Sequence, residues 1–186
     1  MLQKLLFFIK RIIVRISNSN LELGSNVKID LGTNLNLNKG KVTIGDNVYL
    51  RSIQKGYQAG MPFPTTLLVD VEEATIKVGK NCRINGAYIH AQKSISIGEN
   101  CVIASGVNII DSNGHQVKSK NRTIGRDIPQ EIIIGNNVWI GLNCIILKGT
   151  TIGDNSIISA GCIVKGKIPN NSFIKNGVNI IEQIEY

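Results

Sequence analysis

Residues 134–168 read IGNNVWIGLNCIILKGTTIGDNSIISAGCIVKGKI, and the spacing within them decides the fold. Ile134, Ile140, Ile146, Ile152, Ile158 and Val164 place an aliphatic side chain at every sixth position. Four residues after each stand Val138, Cys144, Thr150, Ser156, Cys162 and Ile168, which are mostly small. A period of six is three pleats of a strand, so each hexapeptide makes one short flat strand and one corner. Three hexapeptides close an 18-residue triangular coil, with one large and one small inward side chain on each side.

Working outward, the corner itself recurs. An aliphatic residue, Gly, any residue and Asn begin at Leu23, Ile44, Val78, Ile97, Ile134 and Ile152, with separations of 21, 34, 19, 37 and 18 residues. A further copy at Leu31 falls inside the first interval. Spacings of 21 and 19 are one coil with a few extra residues. The 34- and 37-residue gaps are not two coils each, because His115, Asn121, Asp127, Gly56 and Pro62 stand where two coils would need aliphatic residues. Each is therefore one coil plus a loop, near 51–66 and 111–129, and loops of that length in a repeat are commonly functional. About six coils at ~4.8 Å per strand predict a prism on the order of 29 Å tall. Each coil covers its apolar ring only against its neighbours.

The bulk composition agrees with one folded domain: 186 residues, 42% hydrophobic and 18% charged, with 19 glycines for tight corners. The division expected is residues 1–20 as an amphipathic cap, 21–170 as an all-β prism, and 171–186 as a tail. In residues 2–16 the aliphatic side chains form one broad helical face opposite Lys4, Lys10, Arg11 and Arg15. That segment is too short and too charged to span a bilayer. It caps the prism end or lies peripherally on an anionic membrane surface. The formal net charge of +8 is clustered but lacks interleaved aromatics, so no nucleic-acid partner is expected. Cys82, Cys101, Cys144 and Cys162 all fall at the small inward position. They read as packing residues in a reducing, cytoplasmic compartment, and none has metal-ligand spacing.

Of the two histidines, His115 lies on the 111–129 loop, in DSNGHQ. An imidazole there is neutral enough near pH 7 to act as a general base, and Asp111 is close enough in sequence to orient it. Residues 78–116 and 132–169 resemble the hexapeptide-repeat acyltransferases, in particular maltose and galactoside O-acetyltransferases and acetyltransferases of polysaccharide synthesis. The segment IGNNVWIG at 134–141 and the ISAG at 158–161 followed by Ile168 and Pro169 carry the likeness.

The resemblance implies a left-handed parallel β-helix, a homotrimer, and acetyl-CoA bound as co-substrate in a groove between prisms. It implies direct transfer to a sugar or glycan hydroxyl, with His115 as base. Asn85 matches an acceptor-binding asparagine, although it reads equally well as a structural corner. Trp139 matches a tryptophan beside the groove, and His90 is the second residue expected on the acceptor. Gly141 and Ala160 match positions beside the pantetheine arm, where a small side chain allows close backbone approach. The usual Thr-Lys pair is replaced by Lys165-Gly166-Lys167, so these two lysines are the expected cofactor phosphate contacts. The rival readings are an N-acetyltransferase acting on an amino sugar and a non-catalytic β-helix scaffold. A γ-class carbonic anhydrase, which shares the fold, needs three histidine ligands per metal, and no metal is expected.

Overall fold

The computed structural model describes residues 19–37 and 39–175. The amphipathic segment expected at 1–20 lies outside them except for its last two residues, as does most of the tail. Twenty strands of two to four residues alternate with corners, and no helix interrupts them among the described residues. They stack into three parallel sheets of seven, seven and six strands, each strand pairing with those one coil before and after. The result is an all-β, left-handed parallel β-helix. The first coil runs through Leu21–Leu23, Lys28–Ile29 and Asn34–Asn36, and the sixth through Thr151–Ile152, Ile157–Ile158 and Ile163–Val164. Lys167–Ile168 and Phe173–Ile174 begin a seventh turn.

The register is the one the tetrapeptide predicts. Leu23 pairs with Ile44, Ile44 with Val78, Val78 with Ile97, Ile97 with Ile134, and Ile134 with Ile152. The Asn of each corner explains why the motif repeats. Asn26, Asn47, Asn81, Asn100, Asn137 and Asn155 all hold positive φ between 54° and 61°. That left-handed conformation is costly for most residues, but Asn tolerates it. Their side chains also form a ladder up the prism edge: Asn26 donates to Asn47, Asn47 to Asn81, Asn81 to Asn100, Asn137 to Asn155 and Asn155 to Asn171, at 3.0–3.2 Å. The extra copy at Leu31 lies at the next corner, with Leu31 exposed and outside this register.

The core is one continuous stack of Ile, Val, Leu and Ala rings. All four cysteines are free and buried within it, at the small inward positions. Both long loops leave at corners. Residues 52–65 leave between the second and third faces, and residues 111–131 between the third and first. Each root is held by a buried carboxylate that accepts backbone N–H groups. Asp30 takes Ser52 and Ile53 at 2.8 and 3.0 Å. Asp111 takes Gln92, Lys93 and Ser94 at 2.7–2.9 Å.

Candidate functional site

Along the second face, side chains that point outward stand in register, one per coil: Lys28, Tyr49, Arg83, Val102, Trp139, Ile157 and Phe173. The 52–65 loop folds beside this row. Its Gly60 carbonyl accepts from the Ser105 hydroxyl. Met61 lies where Gly86, at φ +53°, has no side chain, so a Cβ there would come within 2.5 Å of Met61. Met61 thus finds cover on its own prism, while Ile53 of the same loop stays exposed. Between loop and face runs a groove of about 810 Å³.

The groove brings together four of the residues singled out from sequence: Asn85, Trp139, Gly141 and Ala160. Asn85 is nearly buried, and its amide donates to the Ile103 carbonyl at 2.9 Å. It is therefore a corner residue whose side-chain oxygen accepts nothing from the described residues. Trp139 is 53% exposed and stands on the groove wall as an apolar plate. Gly141 is small for a reason other than a ligand. A Cβ there would sit 2.6 Å from the Ala160 nitrogen, and its own N–H is taken by Ile158. Close coil stacking requires this glycine. The Ala160 N–H, in contrast, donates to no group among the described residues and opens on the groove.

The remaining nominated residues lie elsewhere on the chain. Lys165 is exposed at the corner after the sixth coil, and Lys167 is exposed on the strand Lys167–Ile168 that follows it. His115 is exposed on the 111–131 loop and hydrogen-bonds to nothing among the described residues. Asp111, expected to orient it, is fully buried with both carboxylate oxygens engaged by the backbone of residues 92–94. That expectation is corrected: Asp111 anchors the loop root to the preceding coil. His90, expected on the acceptor, points from the third face and bonds Asp70 at 2.9 Å. Arg126 of the long loop approaches the same carboxylate at 3.7 Å. Burial pushes the Asp70 carboxyl up. Its hydrogen bond and charge contact with His90, joined by the charge of Arg126, outweigh that and hold it below the ordinary range. Within one chain, His90 thus supports the loop from beneath and does not reach the groove.

A second clamp was not legible from the sequence. Lys148, largely buried, pairs with Asp127 and also donates to the Ile128 carbonyl at 3.1 Å. Asp127 in turn accepts the Asn113 N–H at 2.9 Å, two residues before His115. The bond from Lys148, with that from Asn113, holds the Asp127 carboxyl below its ordinary range. A depressed carboxyl stabilises fully above the unfolded carboxylate range and is lost as pH falls through the depressed value. Amide hydrogen exchange in residues 112–129, corrected for intrinsic rate, should therefore rise below about pH 4. Lys148→Met should produce the same loosening at pH 7. Unchanged protection in that variant would show that the clamp does not order the loop.

Among the described residues no three His, Cys, Asp or Glu side chains converge as a metal site requires. No helix there is long and apolar enough to cross a membrane. Burial raises the Cys144 thiol, and all four thiols face inward, so none is presented as a nucleophile.

Comparison with known proteins places these features. The family model described as the hexapeptide repeat of succinyl-transferase matches residues 75–110 and 131–165. The galactoside O-acetyltransferase of Escherichia coli K12 is 41% identical over 99 residues, covering 53% of this chain and 48% of that protein. A solved galactoside acetyltransferase in complex with coenzyme A matches with TM-score 0.50 and 41% identity, over 53% of this chain and 49% of that one. AntD, an N-acyltransferase from Bacillus cereus, superposes with TM-score 0.67 over 92% of this chain and 89% of its own, and its 16% identity establishes the fold alone. The chain spans about half the length of the first curated relatives it matches. Hexapeptide repeats at residues 75–110 and 131–165 lie on a left-handed β-helix fold, and over about half its length the chain is similar to a galactoside O-acetyltransferase.

Proposed function

We propose that the protein transfers an acetyl group from acetyl-CoA to a hydroxyl of a sugar or glycan. The observation that carries this reading is the groove. Asn85, Trp139 and Ala160, the residues that the sequence resemblance nominates for acceptor and donor, line it together. The 41% identity to a galactoside O-acetyltransferase supports the same reaction. In this reading the pantetheine arm lies along the fifth and sixth coils, where the Ala160 N–H, which bonds to none of the described residues, meets one of its carbonyls. Lys165 and Lys167 face the phosphates as mobile point charges. The His115 imidazole takes the proton of the sugar hydroxyl, whose oxygen attacks the thioester carbonyl. The oxyanion collapses with cleavage of the C–S bond, and the CoA thiolate recovers the proton from His115.

His115 and Asn85 sit at corners on opposite edges of the third face, so one chain does not join them. The proposed site therefore forms between copies, with the loop of one prism closing the groove of the next in a homotrimer. Sedimentation equilibrium at micromolar concentration should return three times 20.3 kDa. A clean monomer would remove the shared site. Transfer of label from [¹⁴C]acetyl-CoA to a panel of neutral, acidic and amino sugars tests the chemistry. Label on oxygen supports the proposal, and label on nitrogen shifts it to an N-acetyltransferase. Failure to bind coenzyme A at all favours a scaffold.

A further inference from the structure

The two ends of the groove differ in charge. Its second and third coils carry Arg51 and Arg83, while no Asp or Glu lines it anywhere. Neither guanidinium has an ion-pair partner among the described residues. The nearby carboxylate of Asp30 is buried and already accepts Ser52 N, Ile53 N and the Tyr49 hydroxyl. The Arg51 guanidinium lies over two rings, its central carbon 5.0 Å from the Tyr49 centroid and 5.6 Å from that of Tyr57. These cation–π contacts restrain the guanidinium above the rings while its N–H groups can still serve a ligand. Arg83 stands two residues before Asn85 on the same strand, and Arg51 is paired in register with Asn85 from the coil below. Both cations therefore flank the asparagine assigned to the acceptor. They lie four coils from Ala160 in the case of Arg51, about 19 Å at ordinary strand spacing, which separates them from the donor's arm.

We propose that the acceptor is an anionic sugar, its carboxylate or phosphate held by Arg51 and Arg83 beside Asn85. This deepens the acetyltransferase reading and rests on it. Planar guanidinium forks match either oxyanion through paired N–H groups, and a water-accessible groove without carboxylates offers them no internal competitor. Tyr49, Tyr57 and Trp139 supply flat apolar surfaces against which a sugar ring can lie.

The test uses the intact chain loaded with coenzyme A and three probes differing only at C6: glucose, glucuronic acid and glucose 6-phosphate. Binding is measured by calorimetry or ligand-observed NMR at low salt. The charged probes should bind at least tenfold more tightly than glucose, with the advantage shrinking as salt screens it. The preference between glucuronic acid and glucose 6-phosphate identifies carboxylate or phosphate as the source. Arg51→Gln and Arg83→Gln should each erase most of the advantage, and Arg51→Lys should restore only part of it, because a lysine lacks the paired N–H fork of the guanidinium. Equal affinity for all three probes, binding by none at millimolar concentration, or an advantage that survives both Gln variants overturns the proposal. So does a Gln variant that weakens coenzyme A instead, since the arginines would then belong to the donor. Coenzyme A binding by the unaltered chain is scored separately and reports on the acetyltransferase reading itself. Circular dichroism of each variant checks that the prism is retained.

Discussion

His115→Ala should lower turnover on the true acceptor by 10²–10⁴-fold, a loss of ~3–5 kcal/mol of transition-state stabilisation. The fall should appear in kcat, because the imidazole acts only as the proton leaves the hydroxyl. Coenzyme A affinity should be unchanged, since the groove positions matched to the donor lie on the coils and none is on the 111–131 loop. Thermal stability should also hold, because His115 is exposed and makes no hydrogen bond among the described residues. His90→Ala is the informative companion. His90 braces Asp70, which Arg126 of the loop also approaches, so its loss should loosen the loop and reduce turnover far less. A His115→Ala protein with near wild-type turnover would remove the general base and advance the scaffold reading.

The coils were legible because their constraint is periodic. Only an inward aliphatic residue fills the ring, and only a residue tolerant of left-handed φ turns the corner. The Ile and Asn positions therefore announce themselves at coil spacing. The two loops were legible as failures of that period, at Gly56, Pro62, His115, Asn121 and Asp127. Outward positions carry no such constraint. Arg51, Arg83 and Tyr57 are separated by insertions of irregular length, and only the stacking register shows that they share one groove with Asn85. Gly141 was read as clearance for a ligand, but the backbone of the next coil fills that space. Family likeness could locate it without telling the two causes apart. The Lys148 and Asp127 pair was hidden for the opposite reason. Its partners are 21 residues apart across a loop, where no repeat constrains the spacing.

Asp111 shows how a nearby residue in sequence can mislead, and its replacement should give the larger effect on stability. Four residues before His115, it invites a role as orienter, yet its true partners lie one coil earlier, at 92–94. That separation of 17 to 19 residues is the coil length, a signal available in the sequence to anyone who asks what stands directly below. Asp111→Ala strands three backbone N–H groups around a buried site and removes charge-assisted bonds to each. The cost should be about 3 kcal/mol. For a chain of this length that lowers Tm by roughly 6–12 °C. Asp111→Asn retains one acceptor oxygen, enough for the Lys93 and Ser94 pair, but turns a donor toward Gln92. Its loss should fall between wild type and Ala. In both variants turnover should decline in step with hydrogen exchange of the loop, while the pH profile of kcat keeps its midpoint. If Asp111 instead oriented His115, the Asn variant would leave Tm in place and move that midpoint, and the anchor assigned to Asp111 would fall.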